Sequence, residues 1–213
     1  MNVYMQLCIV INLSCHTVSC MSDFSIFFPM GIEHITDLNG LDHILFITAL
    51  CLRYMISDWK KLLILVTAFT IGHSITLALS TLNIISISRN WTEFFIAVTI
   101  IITAFNNCLV KDFKFKTKYP TIYFFALFFG LIHGLGFSSL LKSMLGKDQS
   151  IVVQLLAFNL GLEVGQLIIV ACILIISFVL INFFRINRKF YLLFASGGIA
   201  ALALEMAVER LPK

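Results

Sequence analysis

Four histidines, His34, His43, His73 and His133, stand with the carboxylates Asp42 and Glu163 and the amides Asn159 and Gln166 in a chain that is otherwise overwhelmingly apolar. Ionisable groups inside apolar segments are costly and mark functional sites by default. Asp42 and His43 are adjacent and run directly into an apolar helical stretch. His73 shares one helical face with Thr70, Thr76 and Ser80, at steps of three, three and four. His133 lies between Gly130 and Gly134, a small-xxx-small pair that lets helices approach closely. Asn159, Glu163 and Gln166 fall at i, i+4 and i+7 of one helix. A deeply buried Glu163 must be protonated or paired with a cation. Imidazole with some carboxylate suits nickel, cobalt, zinc or iron better than magnesium or calcium. The expected metal ligands are therefore His43, His73, His133, Asp42 and Glu163, with His43, His73 and His133 as the central imidazoles. His34 and Asp37 are placed at the mouth of the site, and Thr70, Thr76, Asn159 and Gln166 behind the ligands.

Blander readings accompany these. Glu33, His34 and Asp37 suit a wet membrane interface, and a lone histidine among apolar residues is often only hydrogen-bonded packing. Thr99, Thr103 and Asn106 share a face, but hydroxyls commonly bond their own helix backbone. Glu205 and Glu209 come near the end of an apolar run, within reach of the outer surface.

The elements that must position these residues are membrane spans. Of the 213 residues, 60% are hydrophobic and only 12% charged, with 21 phenylalanines; an ordinary soluble domain carries about 25% charged residues. The fold class is an all-α integral membrane protein, a bundle of six transmembrane helices over 41–56, 62–83, 91–110, 120–142, 151–183 and 190–208. Most approach the roughly 20 apolar residues that cross a bilayer. The first is short unless residues 23–38, interrupted by Pro29 and Gly31, supply part of the crossing. His34 and His43 are nine residues apart and would face opposite ways on one continuous helix. A break at Asn39-Gly40 would turn both to one cavity, as a broken or re-entrant stretch before the first core helix. Residues 1–22 form a separate hydrophobic segment, signal-like or accessory, preceding a six-helix domain over 23–213. The six cysteines show no CxxC pair and predict no disulfide framework.

Basic residues set the orientation. Ten (Arg53, Lys60, Lys61, Lys111, Lys114, Lys116, Lys118, Arg185, Arg188, Lys189) fall on one side of the expected spans and five on the other. The positive-inside rule puts the ten in the cytoplasm, with residues 31–40 and the C-terminus outside. The net charge of +4 sits in short loops and gives no nucleic-acid surface; the partners are a lipid bilayer and a metal ion. Phe69-Thr-Ile-Gly-His73 and Phe129-Gly-Leu-Ile-His133 form a short internal echo, as in transporters with repeats. No phosphate-binding loop and no Gly-x-Ser-x-Gly elbow occurs.

Four segments, His34 with Gly40-Leu-Asp42-His43-Ile-Leu-Phe, Val66 to Leu79 around Gly72-His73-Ser, Phe129-Gly-Leu-Ile-His133-Gly-Leu-Gly-Phe and Phe158-Asn-Leu-Gly-Leu-Glu163-Val-Gly-Gln166, resemble the HupE/UreJ family of bacterial membrane proteins. Ile35 departs from the family pattern, which has proline after the first histidine. The resemblance implies a secondary permease for nickel or cobalt in the bacterial inner membrane, associated with hydrogenase or urease maturation machinery. Two other readings stay open. The same histidines could hold zinc in an intramembrane hydrolase with Glu163 as general base. An accessory subunit with polar helix–helix contacts would instead scatter the histidines over different faces.

Overall fold

The structure is a computed structural model that describes residues 23–38, 40–110, 122–144 and 151–212. The segment 1–22, Asn39, and the Lys111–Lys118 stretch of the expected cytoplasmic loop lie outside the described residues.

All regular structure among the described residues is helical. Helix α1 spans residues 23–36, followed by α2 (Asp42–Cys51), α3 (Trp59–Thr81), α4 (Arg89–Cys108), α5 (Ile122–Met144), α6 (Ile151–Phe178) and α7 (Arg188–Glu209). Four stretches, Ile56–Thr81, Arg89–Cys108, Ile151–Phe183 and Arg188–Glu209, are long and apolar enough to cross a membrane. The expected count of six spans is therefore not reproduced. Of its first span, 41–56, only Asp42–Cys51 is α-helix, and those ten residues rise only about 15 Å. The chain leaves helix after Thr36, and the Gly40 amide turns back onto the Asp37 carbonyl at 3.3 Å.

Long runs of Leu, Ile, Phe and Ala form the helices, and their ends are set locally. The Asn187 side chain caps α7 by accepting from the amides of Lys189 and Phe190. Asn83, at φ 59°, takes the left-handed conformation that asparagine tolerates and ends α3. Phe124, Leu156, Ile168, Phe194 and Leu204 stand on outward faces, apolar and exposed, as lipid contact requires.

Two close crossings build the centre. Helices α3 and α5 run side by side in the same direction. A Cβ at Gly72 would strike the Leu127 carbonyl, and one at Gly130 the Phe69 carbonyl. The two halves of the internal echo thus pack directly on each other, backbone to backbone, which only glycine allows. Helices α1 and α6 make the same parallel crossing: Gly31 lies against the Phe158 carbonyl and Gly161 against that of Phe28. Helix α2 packs against α4 and α6, where the Asn107 side chain donates to the Ala49 carbonyl at 2.7 Å.

Candidate metal site

Each close crossing delivers a histidine. His34 follows Gly31 by one turn of α1, His73 follows Gly72 on α3, and His133 follows Gly130 by one turn of α5. His43 comes from the first turn of α2. One ring nitrogen from each of His34, His43 and His73 can be chosen so that all three lie within 4.8 Å of one another. Two imidazoles on a shared ion, at metal–nitrogen distances of about 2.0–2.1 Å, lie at most about 4.2 Å apart, so about 2 Å of side-chain closure or less completes such a site.

Several nitrogens of these rings are shielded from solvent. His43 Nε2, His34 Nε2 and both nitrogens of His73 are buried with no hydrogen bond. Buried polar atoms are almost always satisfied, so these nitrogens are left for a group such as an ion or an ordered water. Phenylalanines enclose the cluster: the Phe137 ring centroid is 4.0 Å from that of His34, and Phe137 stacks on Phe158 at 4.8 Å.

A cavity of about 1220 Å³ leads to the rings. Its walls include His34, His43, His133, Asp37, Asp42 and Glu93, whereas the fully buried His73 stands behind it. The arrangement is a vestibule with three imidazoles in its wall and a fourth one layer deeper.

The predicted residues divide as follows. His34, read as a gate, belongs to the convergent set, because the α1–α6 crossing and the break after Thr36 bring it to His43 at a centroid distance of 4.7 Å. His133 lies 5.2 Å from His43 but outside the set. Among the described residues no carboxylate joins it. Asp42 turns to Arg210, which grips both its oxygens at 2.9 and 3.2 Å. Glu163, half-buried, accepts from Thr67 Oγ1 at 2.9 Å on the α3–α6 contact. The general-base role would need this carboxylate beside the ion, and its position gives that role no support. Thr70 donates to Gln166 Oε1 at 2.7 Å, and Thr76 bonds back to the Gly72 carbonyl at 3.2 Å. Asn159 donates to the Leu155 carbonyl at 2.8 Å, while its side chain faces His73. Asp37 is exposed in the vestibule wall. Glu205 and Glu209 are exposed near the end of α7.

Three participants escaped the sequence reading. Arg210 looked like an ordinary loop cation, and nothing in its spacing ties it to Asp42. Thr67 lies outside the Thr70–Thr76 stripe by periodicity yet meets Glu163. Thr99 bonds its own helix backbone at the Ile96 carbonyl, as its stripe led us to expect, but its Oγ1 also lies 3.2 Å from His133 Nε2, a contact the sequence did not indicate.

Fold and site together define an all-helical protein with spans of membrane length around a buried imidazole cluster. The chain belongs to the HupE/UreJ protein family, whose model matches residues 12–210. No curated protein and no solved structure matches it.

Proposed function

We propose that this protein is a secondary membrane permease for a divalent transition-metal ion, nickel or cobalt, and that His34, His43 and His73 form its binding site. The convergence of three histidines from three helices, each with a buried ring nitrogen that lacks a hydrogen bond, carries the reading. An all-imidazole set favours borderline metals over magnesium or calcium. Neutral nitrogen ligands without a carboxylate also suit binding that must be reversible. The vestibule is the access path. Its mouth includes Asp37, Leu38, Gly40, Asp42 and the Arg89–Glu93 pair, the end that the positive-inside rule turns outward.

The test is uptake of Ni²⁺ and Co²⁺ into proteoliposomes, with bound metal measured by mass spectrometry. Wild type is expected to show saturable uptake and exchangeable metal. His34→Ala, His43→Ala and His73→Ala each lose both. Stoichiometric, non-exchangeable zinc without uptake would overturn the permease in favour of a metalloenzyme.

A further inference from the structure

His133 is left over by the three-histidine set, yet it is not an ordinary packing histidine. It is 1% exposed, lines the vestibule beside His43, and its Nδ1 has no hydrogen-bond partner. Its other nitrogen, Nε2, lies 3.2 Å from the Thr99 hydroxyl on α4. Thr99 is itself buried, and its Oγ1 lies 2.7 Å from the Ile96 carbonyl one turn back.

A threonine hydroxyl carries one hydrogen. The shorter contact, at the ordinary O–H···O distance, takes that hydrogen to Ile96. Thr99 Oγ1 then faces His133 as an acceptor, so the proton of the neutral ring sits on Nε2. The opposite tautomer is also the worse one energetically. It would bury an N–H on Nδ1 with nothing to receive it, and an unmade buried donor costs free energy. Phe46 and Phe69 hold the His133 ring from two sides, with centroids at 5.1 and 5.2 Å. What remains is a bare Nδ1 lone pair, buried beside His43.

We propose that Thr99 is a positioning residue that fixes His133 in its Nε2–H tautomer, making Nδ1 a waiting ligand that takes the transition-metal ion from the His34–His43–His73 set. Metal-bound histidines typically donate their other N–H to a fixed acceptor, and here that acceptor is already in place. Because Nδ1 is unprotonated, His133 binds the ion without first changing tautomer. The relay rests on the permease reading; the tautomer does not.

Two measurements test this. ¹⁵N-histidine solid-state NMR on the metal-free protein in bilayers reads the tautomer of His133, assigned by the resonance lost in His133→Asn. Wild type and Thr99→Ser should show Nε2–H, and Thr99→Val should populate Nδ1–H. In proteoliposomes, Thr99→Val should bind Ni²⁺ within about threefold of wild type but turn over about 10- to 100-fold more slowly. Thr99→Ser should restore turnover. Nδ1–H in wild type, or wild-type turnover in Thr99→Val, overturns the proposal. Equal losses of binding and turnover in Thr99→Val would assign Thr99 a packing role and also overturn it. If wild type neither binds nor moves Ni²⁺, the permease reading fails and the relay with it, while the NMR result still decides the tautomer.

Discussion

Replacing Gly31 with alanine should separate His34 from the other imidazoles while leaving every histidine in place. A Cβ on Gly31 would land on the Phe158 carbonyl oxygen and 2.8 Å from the Leu162 amide nitrogen. Both neighbours are helix backbone and cannot rotate aside, so α1 and α6 must part by about 1 Å to reach ordinary contact. Such overpacking typically costs about 1–3 kcal/mol. His34 sits one turn further along α1 and moves with it. The three ring nitrogens, now within 4.8 Å of one another, already need closure to share an ion. A further displacement of about 1 Å on one of them can cost about 10²-fold. The expected result is Ni²⁺ affinity weakened about 100-fold, or about 2.7 kcal/mol, with the helical fold retained. Isothermal titration calorimetry on detergent-solubilised protein measures it, with circular dichroism as the check on folding. Gly197→Ala is the control, because a Cβ there meets nothing within 4 Å. A folded Gly31→Ala protein that binds Ni²⁺ within about threefold of wild type would refute the link from helix crossing to ligand geometry.

Further outcomes follow from the same contacts. Arg210→Ala leaves Asp42 without its two-point partner at a site where both side chains are mostly buried. It should lower stability by about 1–2 kcal/mol in a thermal melt, and the exchange Asp42→Arg with Arg210→Asp should recover part of the loss. Thr70→Val removes the hydrogen bond to the buried Gln166 Oε1, beside an Nε2 that has none among the described residues. A cost of about 1–3 kcal/mol is expected. The double variant Thr70→Val/Gln166→Leu should cost less than the two single changes summed, as a double-mutant cycle would show. Ni²⁺ at 100 times its Kd should stabilise the wild type by about 2.7 kcal/mol, and a His73→Ala protein should show no such shift.

Sequence by itself determined the class of fold and put forward His43 and His73, two of the three histidines that converge. Apolar runs of membrane length leave a chain few options other than helices, because unsatisfied backbone groups are intolerable in lipid. A histidine in such a run stands out for the same reason, which made His43, His73 and His133 visible. The glycines beside them were visible too, as small residues that permit close approach. Tertiary structure decided who meets whom. Periodicity fixes the face of a residue on its own helix, but it carries no information about which helix lies opposite. The Gly31–Phe158 crossing therefore turned His34 from a residue at the rim into one of the convergent three. Asp42, adjacent to His43 in sequence, was drawn instead to Arg210, a partner 168 positions away. Glu163 went to Thr67, and Thr99 came to His133. Each of these pairings sets one buried or half-buried polar group against another that is distant in sequence, and the energy that selects it exists only once the helices have packed.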